Sequence, residues 1–228
     1  MNKIKQALIS VSDKNKLEII LKILKKFKIK IISSGGTYNQ IKKLGYKCKE
    51  ISKFTNSSEV LEGRVKTLHP KIHAGILNKR NNKYHKKQMR LLEYENIDLV
   101  IVNFYPFEKV LSKTKNHKTI IENIDIGGPT LARAAAKNYN DVTVITSIEQ
   151  YDDLIHEVRK NKGSTSPQFR QKLSEEAFSQ TGYYDSMITN YFASKTNIKF
   201  PRKKIIYGNL IEKLRYGENP HQEAAIYS

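Results

Sequence analysis

The sequence predicts an α/β fold built on a largely parallel sheet. Short apolar runs suited to buried strands, at 7–11, 29–33, 98–102 and 142–145, alternate with stretches of helical periodicity. Two of these strand-to-helix passages cross glycine pairs, Gly35-Gly36 and Gly127-Gly128. Clusters of small, hydroxyl and charged residues recur where the predicted elements end, at 10–14, 34–37, 64–67, 103–105 and 125–128. Five such clusters make one shared site a better reading than five unrelated turns.

In chain order, Ala7-Leu8-Ile9-Ser10-Val11 reads as a buried strand, and Ser12-Asp13 supply helix-capping chemistry after it. Leu17, Ile20, Leu21, Leu24 and Phe27 follow with helical spacing. A second strand over 29–33 runs into Ser34-Gly35-Gly36-Thr37, and Tyr38, Ile41 and Leu44 mark a short helix ended by Gly45. A strand, a glycine turn and a helix N-terminus form a geometry that binds phosphate through backbone N–H groups and the helix dipole. No Gly-Lys-Ser/Thr follows, so this is not a Walker loop, nor does it match a dinucleotide fingerprint. Residues 47–60 hold a short strand and a Ser/Thr-rich loop, and a helix is expected near 84–94.

The run 98–102 is the clearest strand, with Asn103-Phe104-Tyr105-Pro106-Phe107 at its carboxyl end, where open parallel sheets place ligands. Ile124-Asp125-Ile126-Gly127-Gly128-Pro129 forms the second glycine turn, Pro129 suiting the first position of an alanine-rich helix that carries Lys137 two turns in. A strand over 142–145, a helix with Tyr151, Leu154, Ile155 and Val158, and a long helix over 169–192 follow. The basic segment 194–204, with Pro201, reads as a linker.

Between Gly63 and Gly75 lie Arg64, Lys66, Lys71, His69 and His73. An extended segment directs Arg64 and Lys66 to one side, a pair of cations suited to a phosphate ester. The chain has only 8 arginines beside 33 lysines, which makes Arg64 the more informative. A metal site is not expected: Pro70 argues against one helix carrying both histidines, and no glutamate stands where a metalloprotease needs it.

Hydrophobic residues make up 39% of the 228, enough for a core and against global disorder. The net charge of +19 invites a nucleic-acid reading. The excess is dispersed lysine, however, and comes without zinc-ligand spacing or RNA-binding aromatic pairs, so no nucleic-acid partner is expected. No apolar run approaches the roughly 20 residues of a membrane helix. With one cysteine, Cys48, and no signal-peptide shape, a cytoplasmic protein that partners no membrane is expected.

Ser10-Val11-Ser12-Asp13-Lys14, Ser34-Gly35-Gly36-Thr37, Gly63-Arg64-Val65-Lys66-Thr67-Leu68-His69-Pro70-Lys71-Ile72-His73, Asn103-Phe104-Tyr105-Pro106-Phe107 and Asp125-Ile126-Gly127-Gly128-Pro129 occur in order. Together they resemble the inosine monophosphate (IMP) cyclohydrolase half of the bifunctional purine biosynthesis family. The resemblance implies a methylglyoxal-synthase-like, Rossmann-type sandwich over 1–195. It also implies closure of the purine ring of formylaminoimidazole carboxamide ribonucleotide, with no cofactor for that step. By position, Ser12, Lys14, Ser34, Gly36, Thr37, Arg64 and Thr67 would hold the 5′-phosphate. Lys66 would stabilise an oxyanion, Asp125 and Tyr105 would move protons, Lys137 would polarise the carboxamide, and Asn103, Ile126 and Gly127 would contact the base.

Leu214-Arg215-Tyr216-Gly217-Glu218-Asn219-Pro220-His221-Gln222 resembles the opening of the family's formyltransferase half, so 196–228 is expected to be a linker and the start of that domain. Arg215 and Tyr216 would be remnants of its substrate site, which uses 10-formyl-tetrahydrofolate as cosubstrate. The Lys-His and Asn-Pro-Cys-Gly region of that half is absent here. Formyl transfer is therefore not expected of this chain, and the homodimer implied for the full-length family should be weak or absent. Two rivals stand beside this reading, a methylglyoxal-synthase-type lyase and a non-catalytic nucleotide- or RNA-binding fragment.

Overall fold

The structure, a computed structural model, describes residues 3–196 and 200–228. Strands β1 (Gln6–Val11), β2 (Lys30–Ser33), β3 (Lys49–Glu50), β4 (Leu99–Asn103) and β5 (Thr143–Ile145) form one parallel sheet in the order β3-β2-β1-β4-β5. Ala7, Leu8 and Ile9 of β1 and Leu99 and Val100 of β4 are fully buried. Helices cover both faces of the sheet, so these strands read as continuous apolar runs rather than alternating ones. The chain winds from β1 outward through β2 to β3, then returns to the other side of β1 with β4. That reversal opens a crevice beyond the carboxyl ends of β1 and β4, the usual ligand position in such a sheet.

Around the sheet stand α1 (Leu17–Lys26), α2 (Gly35–Lys43), α3 (Ile51–Thr55), α4 (Pro70–Leu77), α5 (Lys83–Leu91), α6 (Phe107–Lys113), α7 (His117–Glu122), α8 (Gly127–Lys137), α9 (Tyr151–Lys160) and α10 (Pro167–Ala193). Helix α8 lies between the β4–β5 side of the sheet and α10. Its buried Ala132, Ala135 and Ala136 permit this close approach, and Ser174 Oγ of α10 donates to the Ala136 carbonyl at 2.9 Å. A smaller cluster under α6 and α7 joins Phe107, Ile120, Tyr184, Met187 and Tyr191.

Several local expectations are corrected. Ser12-Asp13 do not cap α1, which starts at Leu17 behind a left-handed Lys16; Asp13 Oδ1 instead accepts the Asn15 N–H at 2.9 Å. The loop expected within 47–60 contains α3. Arg64 and Lys66 do not lie on a strand. Leu61, Glu62 and Gly63 take φ of 54°, 55° and 88°, and a Val60–Val65 bridge closes the segment into a tight loop. Pro70 opens α4 rather than breaking it, with His69 as its cap and His73 inside the helix. Helix α8 begins at Gly127, two residues before Pro129.

Of the linker read at 194–204, residues 197–199 lie outside the described residues. Beyond it, β6 (Leu210–Leu214) and β7 (Ala224–Tyr227) pair antiparallel, two strands that the sequence reading did not mark. An isolated two-stranded hairpin has little stability of its own. Here α10 meets the chain just before it: the Tyr207 ring stands edge-on to Tyr183 at 5.1 Å, and Asn209 Nδ2 donates to the Tyr183 hydroxyl at 2.8 Å.

Arg170 shows how the fold satisfies a buried charge. At 4% exposure, it donates to the carbonyls of Tyr139 (2.6 Å), Thr165 (2.6 Å) and Asn140 (2.9 Å), tying α10 to the segment ahead of β5 and to the turn that follows α9. Arg170→Met fills much of the volume but leaves three carbonyls without donors. Denaturant unfolding should show a loss of roughly 3 kcal/mol. A loss below about 1 kcal/mol, the worth of one ordinary hydrogen bond, would mean that these bonds do not hold α10.

Candidate functional site

The site grows from the carboxyl ends of the two central strands, where Val11 and Asn103 are register partners. Asn103 Oδ1 accepts the N–H groups of Ser12 (2.6 Å) and Asp13 (3.0 Å), and its Nδ2 donates to the Asp13 carbonyl at 2.9 Å. One amide side chain thus fixes the chain leaving β1. On the other side, the buried Thr37 Oγ1 accepts the Val11 N–H at 3.1 Å and donates to the Val11 carbonyl at 3.0 Å. The first turn of α2 is thereby clamped to β1. Both side chains are engaged with backbone, so Asn103 and Thr37 shape the site rather than offer free donors to it.

Cations gather at the open N-terminus of α2. Lys14 Nζ lies 3.8 Å from where a Gly36 Cβ would stand and donates to the Ser12 carbonyl at 3.1 Å. Lys66 Nζ comes within 3.4 Å of the corresponding position on Gly35, and its Cε would overlap any side chain on Gly63. Ser34 precedes the helix, its hydroxyl making no capping bond. A loop that admits two ammonium groups against glycine backbone at a helix N-terminus is suited to a phosphate.

Helix α8 presents the second N-terminus. Asp125 Oδ1 accepts the Gly128 N–H at 2.9 Å, and Oδ2 accepts the Tyr105 N–H at 3.4 Å. A Cβ on Gly128 would fall 2.5 Å from Oδ2, so the turn closes only around glycine. Burial pushes the Asp125 carboxyl above the usual carboxylate range, and the N–H groups of Gly128, Tyr105 and Gly127 oppose that shift. The buried Thr67 places Oγ1 against Gly127, which joins the basic loop to α8. Tyr105 and Ile126 leave their side chains exposed at the mouth.

Three of the sequence's candidates stand apart. Lys137 ends α8, ten residues and about 15 Å along the axis from Gly127. Its neighbour Asn138 donates to the Ile76 and Asn78 carbonyls, and Arg80 links Asn78 to Ile97 ahead of β4, so Lys137 lies toward the opposite edge of the sheet. Arg215 and Tyr216 follow β6, exposed; among the described residues neither bonds to the cluster. A cavity of about 900 Å³, lined in part by Lys3, Lys5, Arg80 and Arg90, also opens at the far edge, and none of the candidate residues lines it.

The structure adds Glu59, Glu122 and Tyr184, which the sequence did not mark, and gives His73 a place. Glu59 Oε2 is 3.1 Å from Lys66 Nζ, and Glu122 pairs with Arg64. Tyr184 receives the Asp125 N–H on its hydroxyl at 2.8 Å. His73 bonds to the Thr67 backbone, its Nε2 is buried without a partner among the described residues, and burial lowers its pKa. No spacing rule links Glu122 or Tyr184 to partners 58 and 59 residues away. Among the described residues, no three His, Cys, Asp or Glu gather as metal ligands would, and no helix is long and apolar enough to cross a membrane.

A family model described as an MGS-like domain matches residues 16–130, and one described as the AICARFT/IMPCHase bienzyme matches 135–228. The bifunctional purine biosynthesis protein PurH of Bradyrhizobium diazoefficiens is 44% identical over 226 residues, 99% of this chain and 43% of that protein. The protein of the same name from Leptospira biflexa is 46% identical over 228 residues, 100% of this chain and 44% of its own length. The chain therefore spans less than half the length of these relatives. The crystal structure of ForH superposes with a TM-score of 0.74 at 28% identity, covering 83% of this chain and 97% of ForH. The chain belongs to the MGS-like domain family, and over its whole length it is similar to the bifunctional purine biosynthesis proteins.

Proposed function

We propose that this chain acts in purine biosynthesis as an IMP cyclohydrolase, closing the ring of formylaminoimidazole carboxamide ribonucleotide. The observation that carries this is the pairing of two helix N-termini across β1 and β4, that of α2 left uncapped and that of α8 holding a carboxylate. One is lined by Lys14 and Lys66, the other by a buried carboxylate, Asp125. A ribonucleotide has an anionic end and a reacting end, and the two subsites match them.

In the step, the carboxamide nitrogen forms a bond to the formyl carbon, whose oxygen takes up negative charge. One proton leaves the attacking nitrogen. The oxygen takes up that proton and a second one from the former formamide nitrogen, and departs as water as the C=N bond forms. An amide is a weak nucleophile, so positioning and oxyanion stabilisation must supply most of the acceleration. Lys66 is the oxyanion partner, moving off Glu59 as substrate enters. Asp125 is a more basic acceptor than an ordinary carboxylate because burial lifts its pKa, and it takes the proton of the attacking nitrogen. The exposed Tyr105 hydroxyl exchanges protons at the departing oxygen.

Arg64, freed from Glu122, joins Lys14, Ser34 and the N–H groups of Gly36 and Thr37 on the phosphate, with Ser12 and Thr67 at its rim. Ile126 and Gly127 border the base. Lys137 takes no part, because the length of α8 holds it away from the cluster within one chain. The step uses only the nucleotide; 10-formyl-tetrahydrofolate belongs to the formyl transfer that precedes it.

Incubation of the chain with the formylated ribonucleotide, followed by ultraviolet absorbance, tests the reading. Appearance of the purine chromophore supports it, and a spectrum that stays flat at high protein concentration rejects it. Lys66→Ala should lower turnover on the order of 10²–10³-fold with a smaller effect on KM, as loss of an oxyanion donor does. Near-normal turnover with only a raised KM would move Lys66 to binding. Arg64→Ala should weaken binding of inosine monophosphate far more than binding of inosine, since a charge-assisted contact to phosphate is the stronger one. Equal losses for nucleotide and nucleoside in calorimetry would remove Arg64 from the phosphate.

A further inference from the structure

Asp125 is reached from outside the crevice by one side chain that the proposed chemistry does not use. Tyr184 sits in the middle of α10, 2% exposed. Its ring stands edge-on to Phe104 at 5.3 Å and to Phe107 at 6.0 Å, the residues that flank the Tyr105-Pro106 end of β4. Its hydroxyl oxygen accepts the Asp125 N–H at 2.8 Å. Asp125 in turn accepts the Tyr105 N–H on its carboxylate. Three segments distant in sequence, the end of β4, the turn before α8 and α10, are closed into one ring of contacts.

The ring of Tyr184 fills core space, and phenylalanine would fill it equally. What phenylalanine could not do is receive the Asp125 amide. That amide lies in the turn before α8, where Gly127 and Gly128 impose no side-chain restraint of their own. A second α10 tyrosine shows the contrast: Tyr191 bonds to His117 Nδ1 at 2.7 Å, within the small core and away from the Asp125 turn. Burial pushes the Tyr184 phenol up to about 12, so the hydroxyl stays neutral throughout the range in which the protein is assayed.

We propose that Tyr184 is a positioning residue for the site: its hydroxyl holds the Asp125 backbone while its ring locks the flanks of Tyr105, fixing the two proton-handling groups relative to each other. The role in turnover rests on the cyclohydrolase reading; the role in holding Asp125 does not. A group that only positions acts on the transition state more than on nucleotide affinity, because the phosphate subsite at α2 is untouched.

The test compares the wild-type chain with Tyr184→Phe and Tyr191→Phe, each lacking one hydroxyl of α10. Tyr184→Phe should lower kcat about tenfold with KM within about twofold, the scale of one lost hydrogen bond. By NMR, amide hydrogen exchange at Asp125 should quicken about tenfold in Tyr184→Phe. Tyr191→Phe should leave both readings unchanged. Unchanged Asp125 exchange in Tyr184→Phe, or an equal effect from Tyr191→Phe, overturns the proposal. If the wild-type chain closes no ring, the functional reading falls, and the Asp125 exchange rate still decides the role of Tyr184.

Discussion

The site depends on what happens where β1 and β4 end side by side. Two central parallel strands leave backbone N–H groups pointing out of the sheet with no further strand to receive them. Asn103 answers that need with one carboxamide, bonded to two N–H groups and one carbonyl of residues 12–13. Each such bond contributes only about 1 kcal/mol net, but together they leave the chain one direction in which to continue. Thr37 applies the same solution from α2. The crevice is therefore bounded by side chains that satisfy backbone, and what faces a ligand is the uncapped N-terminus of α2 with Lys14 and Lys66 beside it.

That division explains the electrostatics. The chain carries a net charge of +19, yet the cations of the basic loop are matched by carboxylates: Lys66 by Glu59 and Arg64 by Glu122. The Arg64–Glu122 pair is more than half exposed on both sides. Pairs of that kind contribute little to stability, so a phosphate with more oxygens and a helix N-terminus behind it can displace them. Asp125 meets the opposite condition. It is desolvated, and three N–H groups only partly offset the cost. In the proposed reaction, that desolvation is what makes Asp125 a better proton acceptor than an exposed carboxylate.

The sheet was legible because strands covered on both faces must be continuously apolar, and 7–11 and 98–102 can hardly be anything else. The convergence of the clusters at 10–14, 34–37 and 103–105 was legible for the same reason, since β1, β2 and β4 deliver their carboxyl ends to one edge. The basic loop was not: Leu61 and Glu62 adopt left-handed backbone that no residue-type rule anticipates, so an extended segment was the natural expectation. Lys137 shared a motif with the α8 glycines, but helical rise carries it to the other edge. Tyr184 was hidden because in a helical pattern a tyrosine reads as core, while its hydroxyl partner lies 59 residues away.

The central claim is that the N-termini of α2 and α8 share one nucleotide across the β1–β4 junction. Titration of the chain with inosine monophosphate, followed through backbone amide chemical shifts, tests it most directly. The account predicts saturable shifts concentrated at residues 12–14, 34–37, 64–67 and 125–128, with Lys137 and the cavity beside Lys3 and Arg90 unaffected. Shifts centred on that far-edge cavity, or confined to only one of the two helix N-termini, would contradict it.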